Sequence, residues 1–268
     1  MPKTTPNRLE NEFPLNLRPN LSQGAKASRT REGNWRLEIP PGGKGSYRLA
    51  QLDDYTSLAR RSFPWEPPLS LSLQARVSEE AIPGTWGFGL WNDPFSLSLG
   101  FGGGSRQIPA LPNTAWFFIA SPPNYLSLRD DLPAQGSLAA TFQAPHWPPA
   151  LLALAALALP FFALPLTGRW LRRLSRRLIR QDAASFDQDV RDWHSYALEW
   201  QPQQVTFRID EKVTHQTAVA PHGPLGLVIW IDNQYAALPP GGGIRFGTLP
   251  NPEPAWIEIG DLALQDLQ

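Results

Sequence analysis

Leu69-Ser70-Leu71-Ser72-Leu73-Gln74-Ala75-Arg76-Val77 is the stretch from which the fold can be read. Apolar and polar residues alternate strictly along it. That is the period of a β-strand with one face buried and the other in water. The same pattern recurs upstream in Trp35-Arg36-Leu37-Glu38-Ile39, which stops at Pro40-Pro41-Gly42-Gly43, and in Tyr47-Arg48-Leu49-Ala50-Gln51-Leu52. Downstream come Thr85-Trp86-Gly87-Phe88-Gly89-Leu90-Trp91, residues 95–101, the continuous apolar run 115–120, and shorter pieces at 125–128 and 138–142. The glycines at 87 and 89 let a neighbour or a ligand come close to that strand. Beyond residue 190 the series resumes at 193–200, 205–210, 213–218, 226–231 and 256–259. Short, evenly spaced strands broken by Gly/Pro turns predict an all-β antiparallel sandwich of jelly-roll type.

Composition agrees with many short strands. The chain has 268 residues, with 29 prolines, 21 glycines and 11 tryptophans. That length suffices for one large sandwich with a sizeable core. Its 24 basic and 24 acidic residues cancel, so no global field draws nucleic acid, and no nucleic-acid partner is expected. The absence of cysteine removes disulfides, thiolate metal sites and cysteine nucleophiles. The polar start Met1-Pro2-Lys3-Thr4-Thr5-Pro6 lacks the apolar core of a signal peptide, and a cytoplasmic start is expected. We expect a loose N-terminal arm over 1–30, one sandwich from 31–145 plus 186–268, and an insertion over 146–185.

The second half carries a resemblance. Trp193-His194-Ser195-Tyr196-Ala197-Leu198-Glu199-Trp200, a four-residue turn, and Val205-Thr206-Phe207-Arg208-Ile209-Asp210 resemble paired strands of the concanavalin A-like lectin/glucanase superfamily, specifically family 16 glycoside hydrolases. Trp256-Ile257-Glu258-Ile259-Gly260-Asp261-Leu262 resembles the last strand of that family, and 84–91 the strand before its catalytic one. The resemblance implies a jelly roll and a relation to β-glycans. The family's catalytic signature is Glu-x-Asp-x-x-Glu on one strand, because retaining hydrolysis needs two carboxyl groups about 5 Å apart. The strand expected to carry it here, Asn113-Thr114-Ala115-Trp116-Phe117-Phe118-Ile119-Ala120-Ser121, has no carboxylate. No catalytic residue is therefore assigned, and a binding module is favoured over an enzyme. The alternative is a glycosidase or transglycosidase using Asp93 with Glu199 or Glu258.

Flat aromatic faces and Asn/Asp side chains are what a sugar site uses. Trp86, Trp91, Asn92, Asp93 and Trp116 are the ligand-binding candidates, with core the favoured reading at any one of the tryptophans. The four histidines, His146, His194, His215 and His222, are scattered without metal-ligand spacing, so neither a metal nor another cofactor is expected.

The insertion has a different chemistry. An uncharged Leu/Ala-rich run from Ala150 to Leu166 leads into Arg169-Trp170-Leu171-Arg172-Arg173-Leu174-Ser175-Arg176-Arg177-Leu178-Ile179-Arg180. A single membrane span would put the two halves of one sandwich on opposite sides of a bilayer, and Pro160 and Pro165 break a straight helix. The reading that remains is a monotopic foot in one leaflet on the cytoplasmic side. Leu151, Leu152, Leu154, Leu157, Leu159, Phe161, Phe162 and Leu164 would enter the apolar layer. In the following helix Trp170, Leu171, Leu174 and Leu178 would lie on the lipid face, with Arg169, Arg172, Arg173, Arg176, Arg177 and Arg180 among anionic headgroups. The expected partners are an anionic membrane surface and, as ligand of the module, a glycan, a glycolipid headgroup or another protein. The competing readings are a helical hairpin packed on the sandwich or in a homo-oligomer interface with its arginines solvated, and a membrane complex using the insertion as a protein-binding hairpin.

Overall fold

The computed structural model describes residues 13, 15–94, 110–147 and 165–267. Two seven-stranded antiparallel sheets face each other. The front sheet runs in the order β1 (Arg18–Leu21), β4 (Leu49–Asp53), β13 (Gly226–Asp232), β6 (Thr85–Trp91), β7 (Thr114–Ala120), β8 (Gly136–Gln143), β9 (Arg180–Ser185). The back sheet runs β12 (Lys212–Thr217), β11 (Gln204–Ile209), β10 (His194–Gln201), β5 (Leu69–Val77), β16 (Ala255–Asp266), β3 (Trp35–Ile39), β2 (Lys26–Arg29). A small hairpin, β14 (Gln234–Ala237) with β15 (Arg245–Thr248), stands apart from both.

Alternation produces this arrangement directly. In β5 every second residue (Leu69, Leu71, Leu73, Ala75, Val77) is at most 2% exposed, while Ser70, Ser72, Gln74 and Arg76 face outward. Leu198 and Trp200 from β10, Phe207 from β11, Trp86, Phe88 and Leu90 from β6, and Phe117 from β7 complete the layer between the sheets. Apolar burial of this kind stabilises by roughly 25 cal/mol per Å². The jelly-roll sandwich expected from the sequence is what forms.

Two boundaries differ from expectation. Residues 18–29, read as part of a loose arm, supply β1 and β2, because Arg18–Leu21 pair with β4 and Lys26–Arg29 with β3. Polar edge strands of this kind carry little alternation and hide from pattern reading. At the far end of the insertion, 180–185 form β9, paired with β8 from Leu138↔Ser185 to Gln143↔Arg180. The strand expected at 95–101 and the apolar run 150–164 lie outside the described residues.

Candidate functional site

The outer face of the front sheet gathers aromatic side chains. Because Leu227, Ile229 and Ile231 point inward, β13 turns Val228, Trp230 and Asp232 outward. By the same alternation β6 turns out Gly87, Gly89 and Trp91, and β7 turns out Trp116 and Phe118. The rings pack as one sheet-wide layer. Trp91 stacks on Trp230 at 6.4 Å and 5°, Trp116 lies 5.4 Å from Trp230 and 5.9 Å from Trp91, and Phe118 lies 5.0 Å from Trp116. Tyr55 and Phe63, from the connection between β4 and β5, lean on the same layer, with Tyr55 6.2 Å from Trp91. Trp116 and Trp230 are each only 7% exposed, and Trp91 is half-buried.

Glycine makes room for these rings. A Cβ at Gly87 would sit 2.3 Å from the Phe117 carbonyl oxygen and 2.9 Å from the Trp230 ring, and one at Gly226 would sit 2.3 Å from the Tyr55 ring. The close neighbour at Gly87 is therefore the protein's own indole and backbone. Gly87→Ala is expected to cost about 2–3 kcal/mol of stability, because the backbone oxygen cannot move aside without shifting the strand pair. Urea denaturation would show it, and an unchanged midpoint would refute the packing argument.

Buried acids border the layer. Asp232 accepts hydrogen bonds from the Thr85 hydroxyl (2.8 Å), the Thr85 and Gln234 backbone N–H groups and the Tyr47 hydroxyl (3.3 Å). Burial outweighs these bonds and pushes its carboxyl up from 3.8 to about 7. The Trp230 indole N–H donates to the same Thr85 hydroxyl at 3.0 Å, so Asp232 and the aromatic layer are joined through one side chain. Asp54, which accepts from the Trp65 indole and the Leu227 N–H, is likewise pushed by burial to about 6.

The five ligand candidates separate on the fold. Trp86 is 1% exposed between the two sheets and can meet no ligand there, a correction that follows from strand parity. Trp91 and Trp116 are on the outer face, joined by Trp230, which sequence reading did not single out. Asn92 is buried, its side chain donating to the Leu111 carbonyl and accepting from the Asn113 N–H. Asp93 adopts a left-handed conformation (φ 46°), and the Arg60 guanidinium holds its carbonyl. The alternative catalytic pairs do not assemble. Glu199 pairs with Arg208, and Glu258 with Arg36 and Arg76, on the outer face of the back sheet. Asp93 follows β6 of the front sheet, so a sandwich with sheets about 10 Å apart separates it from both glutamates. Retaining chemistry needs roughly half that distance.

The basic part of the insertion forms α1 (Pro165–Leu178), docked on the protein. Arg172, expected among headgroups, points inward and is 3% exposed. It donates to the carbonyls of Ser127 (2.5 Å) and Leu238 (2.7 Å) and to Asp130 (2.6 Å). Arg176 reaches the other oxygen of Asp130, and Arg169 donates to the Gly241 carbonyl. Arg180 bonds Gln143 across the β8–β9 edge. Trp170 is 63% exposed, Arg173 and Arg177 are exposed, and Leu174 and Leu178 are half-buried. The helix thus departs in part from the expected division, since two loop carbonyls and Asp130 satisfy inside the protein a guanidinium that was expected to meet headgroups. Leu151, Leu152, Leu154, Leu157, Leu159, Phe161, Phe162 and Leu164 lie outside the described residues, as does the side chain of Leu171. Among the described residues no helix is long and apolar enough to cross a membrane.

The histidines fall into two kinds. His194 is engaged through both ring nitrogens, with Asp210 at 2.7 Å and the Asp189 carbonyl at 3.1 Å, and His215 stacks on Phe207. His146 and His222, far apart in sequence, meet with ring centroids 5.9 Å apart. No local pattern could have announced that meeting.

Comparison with known proteins places the fold. No family model matches, and no curated protein matches by sequence. Among solved structures, a Bacillus licheniformis β-glucanase superposes with TM-score 0.51 at 10% identity over 97% of this chain and 100% of that one. The architecture is the glucanase jelly roll. A laminarinase catalytic domain from Thermotoga petrophila (TM-score 0.43, 10% identity, 92% of this chain and 82% of that one) is also similar. So is the Emp47p carbohydrate recognition domain (TM-score 0.45, 13% identity, 95% and 90%). At these identities the glucanase jelly roll is a statement about shape, and chemistry must come from the residues.

Proposed function

We propose that this chain binds a glycan or a glycolipid headgroup without cleaving it, and that residues 147–180 hold it on the anionic cytoplasmic leaflet of a membrane. The observation that carries the attachment is the mounting of α1. Arg169, Arg172 and Arg176 are spent on anchoring the helix to the sandwich, while Trp170, Arg173 and Arg177 are left facing solvent. The uncharged run 150–164 enters at the start of that same helix. A rigidly mounted helix that offers an indole and two guanidinium groups, and that an apolar run precedes in sequence, suits a headgroup layer, where each arginine contributes about 1 kcal/mol. Support for a non-cleaving role comes from β7, whose outward residues Thr114, Trp116, Phe118 and Ala120 include no carboxylate. Glycan binding rests on the glucanase jelly roll and on Trp91, the half-buried tryptophan of the aromatic layer.

Flotation on liposomes tests the attachment. Wild type is expected to rise with vesicles containing phosphatidylserine and to do so less as salt is raised. The Trp170→Ser/Arg173→Glu/Arg177→Glu variant keeps the three anchoring arginines and is expected to stay at the bottom while remaining folded. Wild type that stays at the bottom at low salt would sink the proposal.

A further inference from the structure

We infer that His146 and His222 form a two-imidazole site for a divalent transition-metal ion, in a cavity of about 460 Å³ at one end of the sandwich. The cavity is built from Glu66, Pro145, His146, Pro221, His222 and Gly223 together with two further prolines. Three observations support a ligand site over a chance meeting of surface side chains.

The first is geometric. Two imidazoles that share one ion, each with its nitrogen about 2.0–2.1 Å from the metal, have ring centroids roughly 4.5–6.5 Å apart as the angle at the ion runs from about 90° to 180°. The observed 5.9 Å, with the rings inclined at 42°, lies inside that window. Both histidines are exposed, so an ion can enter from solvent. At His222 the backbone N–H makes the hydrogen bond, to Asn113, which leaves the ring for a ligand.

The second is that the two backbones are clamped. Asn113 is 1% exposed, and its side-chain oxygen accepts from the N–H groups of both Ala144 (3.2 Å) and His222 (2.9 Å). Its amide nitrogen donates to the Ala144 carbonyl at 2.9 Å. One buried side chain thus ties together the segments that carry the two rings, and Asn92 in turn holds the Asn113 backbone. Pro145 and Pro221, each preceding a histidine, have fixed φ, and the Trp200 indole N–H pins the Pro221 carbonyl at 3.2 Å. Preorganisation of this kind lowers the entropic cost of bringing two ligands to one ion.

The third is charge. The Glu66 carboxylate lies directly over Gly223, close enough that a Cβ there would be 2.0 Å from its oxygen, and places a negative charge on the wall beside His222. Among the described residues no three His, Cys, Asp or Glu side chains come near enough to cage an ion. The protein therefore supplies two imidazoles, and water fills the remaining positions. Imidazole nitrogen with open positions suits Cu²⁺, Ni²⁺ and Zn²⁺ rather than Ca²⁺ or Mg²⁺, with Cu²⁺ the tightest. The inference stands whether or not the chain meets a membrane.

Titration of the full chain with Cu²⁺, read by electron paramagnetic resonance, tests it. One equivalent should bind with hyperfine structure from two imidazole nitrogens. His146→Gln and His222→Gln should each reduce the pattern to one nitrogen and weaken binding at least about tenfold. His194→Gln should change neither reading. Both target residues are exposed, so the variants are expected to fold, and circular dichroism checks that they do. The inference is overturned if wild type shows no saturable binding, if its spectrum carries one nitrogen, or if the His146→Gln/His222→Gln double variant binds as wild type does.

Discussion

At pH 8 the Asp232→Asn protein is expected to be more stable than wild type by about 2–4 kcal/mol. Asp232 is 7% exposed, and burial lifts its carboxyl from 3.8 to about 7. Between those values the folded chain keeps a proton that the unfolded chain has released. The folded state then binds more protons, so stability falls as pH rises from about 4 to about 7 and levels off above it. The contribution is complete only below the unfolded value and is lost as pH passes through the folded one. Asparagine is neutral throughout and fits the same bonds. Its carbonyl can accept from the Thr85 hydroxyl and the Thr85 and Gln234 N–H groups, and its amide can donate to Tyr47. Urea denaturation of both proteins from pH 4.5 to 8 gives the difference directly. Asp54, raised to about 6, adds a slope of the same sign to both proteins and cancels in the comparison. Parallel curves across that range would show that Asp232 ionises normally in the fold. Asp232→Ala, which leaves the Thr85 and Gln234 donors unpaired, should be less stable than Asp232→Asn at every pH.

Arg172→Met is expected to lower stability by about 3 kcal/mol and to release α1 from the sandwich. The guanidinium is 3% exposed, and two of its bonds go to the carbonyls of Ser127 and Leu238, which the truncation would leave without that donor. Its third bond goes to Asp130, whose side chain is 52% exposed and can turn to water. Asp130→Asn should therefore cost well under half as much, since an exposed partner contributes little. Trypsin reads the release separately from global stability. Cleavage after Arg173 and Arg177 should speed up in Arg172→Met under conditions where the β-sandwich remains folded. Equal cleavage rates in wild type and variant would mean that the helix is held by other contacts.

The strands were legible because a two-residue period reports burial on one face and needs no knowledge of the partner strand. Leu69–Val77, Thr85–Trp91 and the pair 193–200 with 205–210 appear where alternation placed them. The polar edges β1, β2 and β9 escaped, since an edge strand gains its hydrogen bonds from a neighbour and little from its own side chains. Of the site, Trp91 and Trp116 were visible as aromatic residues. Trp230 was not, because only the pairing Trp230↔Gly87 sets it among them.

Alternation, turn residues and the uncharged run beside clustered arginines are local properties, and the sequence alone determined from them an all-β sandwich interrupted by an apolar and basic insertion. Parity along a strand is also local, but the identity of the facing layer is not. Only the tertiary structure decided that Trp86 fills the space between the sheets while Trp91 and Trp116 cover the outside. It also decided which arginine of six turns inward to meet Ser127, Leu238 and Asp130, and that His146 and His222 come within 5.9 Å of each other. Those contacts join residues far apart in the chain, and their partners are set by how the sheets and connections pack, which no local period encodes.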